Sequence, residues 1–149
     1  MDALQLLKDD HEKVRKLLEQ GESTTERGEK TRTELLETLL RELTVHERIE
    51  EEIFYPALKA HPKAKEIVLE GYDEHHVVDT IMGEIQATPV SDETWGAKFK
   101  VAKENIEHHI EEEEGEMFRQ ARQVFDRDEL EDLGARMQEL KVAALELSS

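Results

Sequence analysis

Cysteine is absent from the chain of 149 residues. Disulfides, thiolate zinc sites and iron–sulfur clusters are thereby excluded. Proline (3) and glycine (7) are scarce, and most of them fall between periodic segments, so long helices can run unbroken. Basic residues are also in short supply. Lys and Arg number 20 against 37 Asp and Glu, a net charge of −17. Such a chain is repelled by a phosphate backbone and by an anionic bilayer, so neither nucleic acid nor membrane is an expected partner. No apolar run approaches the roughly 18 residues of a membrane span. The first residues, Met-Asp-Ala-Leu-Gln, lack a charged segment followed by an apolar one, so the expected location is cytoplasmic. The length suits one domain, 1–149. Histidine is the unusual presence: five of the 7 lie in or beside Glu-rich segments.

The apolar residues recur at helical spacing throughout, and no strand pattern competes. A first helix is expected from about Asp2 to Glu19, with Leu4, Leu7, Val14 and Leu18 on one face and His11 filling the gap. A second runs from about Glu29 to Ala60, its inner face marked by Leu35, Leu36, Leu39, Leu43, Ile49 and Ile53, in step with His46 and Glu50. Pro56 near its end predicts a kink or an early stop. A third, about Lys63 to Ala87, carries Val68, Tyr72, Val78, Met82 and Ile85, with His75 between. The fourth, about Glu93 to Val124, carries Trp95, Phe99, Ala102, Ile106 and Met117, with His109 and Glu113 before the last. Asp126-x-x-Glu129 has the form of a capping box and opens a fifth helix, 127–147. Its Leu130, Leu133, Met137, Leu140 and Ala144 would let it pack across the others. The expected fold is therefore all-α: an up-down-up-down four-helix bundle over about 1–124, with an additional C-terminal helix.

Each long helix thus sets a histidine in its apolar stripe, and His46 and His109 each have a glutamate four residues later. That spacing puts both side chains on one side, about 6 Å apart along the axis. A bundle with these faces gathers His11, His46, Glu50, His75, His109 and Glu113 in its core. A lone inward histidine is ordinarily a satisfied core residue; four in register, two with an inward glutamate, are not. Buried carboxylates without a partner cost several kcal/mol each. The core offers them no Lys or Arg in register, so metal ions are the natural compensation. Imidazole with carboxylate suits iron, manganese or zinc. Two bridging carboxylates and four imidazoles make about eight bonds where two six-coordinate ions have about twelve positions, which leaves room for an oxygen bridge and open sites.

An internal repeat supports the grouping. His11 and His75 are each followed by Val at offset three and by two apolar residues at six and seven. His46 and His109 each lead to Glu-Glu at four and five and to an apolar pair at eight and nine. The register selects His75 over His76 and His109 over His108. His76 and His108 lie about 100° off the stripe. They stay open, with Glu47 and Tyr55, as additional ligands or neighbours of the metals.

On these residues the chain resembles the hemerythrin-like, or HHE cation-binding, family. The segments are Asp-His-Glu-Lys-Val (10–14), His-Glu-Arg-Ile-Glu-Glu-Glu-Ile-Phe-Tyr-Pro-Ala-Leu (46–58), Glu-His-His-Val-Val (74–78) and His-His-Ile-Glu-Glu-Glu-Glu-Gly-Glu-Met-Phe (108–118). The resemblance covers roughly residues 1–120. It implies a non-haem centre of two Fe ions, oxo- or hydroxo-bridged, with the four histidines as terminal ligands and Glu50 and Glu113 as bridges. Oxygen-carrying members have His-x-x-x-His on the third helix, where this chain has Asp79 four residues after His75. They also have Asp five residues after the last histidine, where this chain has Glu113 four after His109. One fewer imidazole frees a coordination position. That points to reaction with hydrogen peroxide, O2 or NO, including a catalase-like peroxide-consuming activity. The alternatives are an iron or redox sensor or storage module without turnover, a simple O2-binding protein, and a metal-free acidic interaction module. Ferritin-like chemistry needs Glu-x-x-His pairs, which are absent, and the zinc-protease motif fails because Glu50 stands where its second histidine would be.

Overall fold

A computed structural model describes residues 1–148; the expected domain's last residue, Ser149, lies outside them. Among the described residues there is no strand. The first helix, α1 (Ala3–Glu22), opens on Asp2, whose carboxylate accepts from the Gln5 amide at 2.8 Å. Next comes α2 (Glu29–Ile49), which continues through a widened π turn (Glu50–Phe54) into α3 (Tyr55–Lys59). A single 3₁₀ turn (Pro62–Ala64) leads into α4 (Lys65–Gln86). Beyond the following loop, α5 (Trp95–Glu112) passes through a second π turn (Glu113–Met117) into α6 (Phe118–Val124). The last element is α7 (Arg127–Ser148). Counting each helix interrupted by a π turn as one rod, four rods make the bundle, and α7 packs against α1, α2 and the first π turn.

The capping box before α7 is reciprocal: the Glu129 amide donates to Asp126 at 2.8 Å and the Asp126 amide donates to Glu129 at 3.1 Å. At the opposite end, Arg32 is buried and ties two loops together. It donates to Thr24 and to the Val90 carbonyl, and its guanidinium lies 4.3 Å over the Trp95 ring.

Of the kink or early stop expected at Pro56, the stop does not occur; the helix is distorted by a π turn just before it. The Tyr55 amide reaches back five residues to the Glu50 carbonyl, and the helix runs on to Lys59. Proline is not the whole cause, because the second π turn has none; there the Phe118 amide reaches the Glu113 carbonyl in the same way. Each π turn starts at a buried glutamate and inserts one residue into the helical register. The apolar stripe therefore slips by one. Ile53, expected inside, is only half-buried, while Phe54 and Tyr55 are fully buried.

The apolar interior is divided in two. One cluster gathers Leu4, Leu7, Ile49, Phe54, Leu58 and Phe118 with Leu130, Leu133 and Met137 of α7. The other gathers Val14, Leu18, Leu39, Val78, Met82, Trp95, Phe99 and Ile106 toward the Arg32 end. Between them lies a layer of buried polar side chains.

Candidate metal centre

All six inward residues singled out in the sequence lie in that layer: His11, His46, Glu50, His75, His109 and Glu113 are each buried. Their ligating atoms form two groups, His11, His46 and Glu113 in one, Glu50, His75, His109 and Glu113 in the other, with the atoms of each group within 4.8 Å of one another. Glu113 belongs to both. Its Oε1 is 3.0 Å from His11 Nε2, and its Oε2 is 3.2 Å from His109 Nε2. Glu50 Oε1 lies 3.0 Å from His75 Nε2 and 3.1 Å from His46 Nε2. The carboxylates thus sit between imidazoles contributed by different helices.

The donor set fits a metal. Opposite ligands about 2.1 Å from one ion stand about 4.2 Å apart, and the atoms of each group lie within 4.8 Å of one another. His46 Nε2, Glu50 Oε2 and His109 Nε2 are buried without a hydrogen-bond partner, although His46 and His109 lie close to carboxylate oxygens. Buried polar atoms are rarely left so, and an ion between them would satisfy all three.

Every imidazole is held from behind. The Nδ1 atoms pair with Glu114 (His11, 2.6 Å), Asp10 (His46, 3.0 Å), Glu51 (His75, 2.8 Å) and Glu74 (His109, 2.7 Å). Such carboxylates fix the ring and the tautomer, leaving Nε2 to face inward. The internal repeat reappears here. Asp10 and Glu74, each preceding a histidine, hold the ring of the next helix; Glu51 and Glu114, each following an inward glutamate, hold His75 and His11. Sequence reasoning missed these four. The available signal was an acid directly beside each buried residue, but the partner in every case lies at least 24 residues away.

The charges reflect the burial. Burial opposes ionisation of His46, His75 and His109, yet the carboxylates around them, Glu50 and Glu113 foremost, raise all three above the usual imidazole range. Burial likewise pushes Glu113 up, but hydrogen bonding with Glu50 and the charge of His109 outweigh it and hold Glu113 well below the usual carboxylate range. In the metal-free protein, protons on imidazoles thus compensate the buried carboxylates. The four further candidates separate. Tyr55 is fully buried; its hydroxyl donates to Glu113 Oε2 at 2.9 Å and lies 3.4 Å from His75 Nε2, with the ring stacked on that imidazole. Phe118, its counterpart in the repeat, lies stacked near His11 and has no hydroxyl. Burial and the facing Asp79 push the Glu47 carboxyl up to about 9. His76 and His108 are exposed; His108 pairs with Glu112 at 3.1 Å.

Above the four imidazoles, on the side away from Tyr55, lies a cavity of about 20 Å³ walled by Val14, Leu43, Val78, Ile106 and Ile110, with Glu47 at its edge. That volume holds about one water-sized molecule. No helix is long and apolar enough to cross a membrane among the described residues.

The sequence pattern of the hemerythrin HHE cation binding domain matches residues 2–121. No curated protein sequence matches significantly. Among solved structures, the crystal structure of a hemerythrin HHE cation binding domain-containing protein from Mycobacterium kansasii, described as an Rv2633c homolog, is 31% identical. It superposes with a TM-score of 0.84 over 97% of this chain and 90% of that one. A match of that extent, together with the buried His/Glu cluster, identifies the chain as a member of the hemerythrin HHE cation-binding family.

Proposed function

We propose that the protein holds two non-haem iron ions, one at His11 and His46, the other at His75 and His109, with Glu50 and Glu113 bridging, and that this centre reacts with O2, hydrogen peroxide or NO. The observation that carries the reading is the sharing of Glu113 between two adjacent donor groups beneath an apolar cavity sized for a small molecule. Bound iron would supply electron exchange and open coordination positions there.

The chain's own residues do the rest. Asp10, Glu51, Glu74 and Glu114 lock the imidazoles so that the donor atoms are in place before metal arrives. The apolar wall excludes bulk water and admits small neutral ligands. Tyr55 keeps a phenolic proton on Glu113, and burial together with the charges of Glu113 and Glu50 pushes its hydroxyl well above the usual range. Glu47 holds a second proton at the edge of the cavity. A site with proton donors on both sides of the metal layer suits turnover of peroxide better than simple O2 carriage.

The test is reconstitution of the metal-free protein with ferrous iron, followed by elemental analysis and visible spectra before and after peroxide. About two irons per chain, with charge-transfer bands that peroxide alters, support the reading. Rapid peroxide loss that His46→Ala abolishes would place it among enzymes; a spectral response without loss would favour the sensor. A chain that retains no iron, and whose fold ignores chelators, refutes it.

A further inference from the structure

The four carboxylates behind the imidazoles follow the internal repeat, but the cations behind the carboxylates do not. Lys141 of α7 donates to Asp10 Oδ1, while Asp10 Oδ2 holds His46 Nδ1 at 3.0 Å. Asp10 is buried, and the Lys141 side chain is about four-fifths covered, 21% exposed. On the same side, Arg15 lies 3.8 Å from Glu114, the carboxylate behind His11. Glu74 stands to His75 in sequence as Asp10 stands to His11, and it holds His109 at 2.7 Å. Among the described residues, no Lys or Arg pairs with Glu74 or with Glu51; beside Glu74 stand Glu112 and the exposed imidazole of His108, and beside Glu51 stands Glu47. Both cations therefore lie behind one pair of histidines. Lys141 also lies beyond residues 2–121, where the family pattern ends, on a helix that adds to the four-rod bundle.

A carboxylate on the outer nitrogen of a ligating imidazole makes that imidazole a stronger donor. An ammonium on the carboxylate's other oxygen draws on the same negative charge and opposes the effect. Lys141 acts in this way on His46, and among the described residues no ammonium or guanidinium acts so on His75 or His109. We infer that Lys141, through Asp10, is a positioning residue that makes the two metal positions electronically unlike, so that iron at His11 and His46 is the more readily reduced. The inference rests on the di-iron reading above. Ferric iron favours strong donors more than ferrous iron does, so weakening His46 raises the reduction potential at that position. One electron added to the diferric centre then settles there, converting that ion to ferrous and leaving its neighbour ferric.

The sign of the effect provides the test. Lys141→Met keeps the apolar stem and removes the charge; Asp10→Asn removes the carboxylate and keeps an acceptor for His46. The loaded proteins are reduced stepwise with dithionite and redox mediators, and the half-reduced form is followed by Mössbauer spectroscopy. Wild type should show two one-electron steps. Lys141→Met should lower the first by about tenfold in the ferric/ferrous ratio, which is about 59 mV for one electron, and leave the second nearly in place. Asp10→Asn should move the first step the opposite way, and Lys141→Arg should restore wild-type behaviour. If Lys141 only docks α7, the two removals move the step in the same direction or not at all, and the inference falls while two irons remain bound. If no pair of irons binds in wild type, the function proposed above falls and takes this inference with it.

Discussion

Replacing Glu113 by Gln tests the centre where the structure concentrates it. Glu113 is 1% exposed and is the one residue common to both donor groups. Its two oxygens face His11 at 3.0 Å and His109 at 3.2 Å, and Tyr55 donates to it at 2.9 Å. Glutamine keeps the shape and the acceptor for Tyr55 but loses the charge that chiefly raises His109 and the carboxylate that, after Glu50 and Asp10, supports protonated His46. Breaking a buried charge arrangement from one side costs about 3–5 kcal/mol. Because the amide still accepts hydrogen bonds, the lower end applies. For a chain of this length each kcal/mol shifts the melting temperature by about 2–4 °C, so the metal-free variant should melt roughly 6–12 °C below wild type. Metal analysis after chelation and reloading should find the two-metal centre lost, because each position lacks its shared ligand. Glu114→Gln is the comparison: of the inward cluster, Glu114 meets only the outer nitrogen of His11, at 2.6 Å, so metal should be retained with about 10–100-fold weaker affinity. A Glu113→Gln protein that reloads the wild-type amount of metal, with the wild-type spectrum, would refute the bridging assignment.

Metal uptake should be proton-linked. His46, His75 and His109 have raised values in the metal-free fold, so they hold protons to higher pH than a free imidazole and must release them to bind a cation. Affinity should rise with pH, with acid released into a weakly buffered solution; a flat profile would contradict this. The same shifts mean that these histidines stabilise the metal-free fold fully below about pH 6.5 and lose that contribution as pH climbs through their folded values. Glu47 acts in the same direction. Its value rises from 4.5 to about 9 on folding, so it weakens the metal-free protein progressively between those limits, by about 1.36 kcal/mol per pH unit. Urea unfolding of Glu47→Gln should show a pH slope shallower by about that amount, and an unchanged slope would overturn the reading of Glu47 as protonated. Gly134→Ala probes the docking of α7: a Cβ there would stand 2.3 Å from the Met1 carbonyl and 2.8 Å from the Ala3 nitrogen, both backbone atoms. Forcing the helix away should cost about 1–3 kcal/mol in a thermal or urea melt, and a melting temperature equal to wild type would show that α7 is loosely held.

The helices and the six-residue cluster were legible in the sequence because both depend on one number, the 3.6-residue period. His46 with Glu50 and His109 with Glu113 share a face whatever surrounds them, and the apolar neighbours Leu39, Leu43 and Ile106 say that this face is inward. The capping box at Asp126 was readable for the same reason, since its two bonds span three residues.

What escaped the sequence depends on departures from that period or on contacts between distant segments. The π turns after Glu50 and Glu113 add a residue to the register, which is why Tyr55 rather than Ile53 turns toward the cluster. The carboxylates behind the rings are paired across 24 to 103 residues, and Lys141 reaches Asp10 across 131. Lys141 stands four residues after Met137 on the inner stripe of α7, yet nothing local says which rod that stripe meets. Local spacing determines which side chains point inward. Only the packing of rods, α7 included, decides which carboxylate stands behind which imidazole and which of those carboxylates shares its charge with a cation.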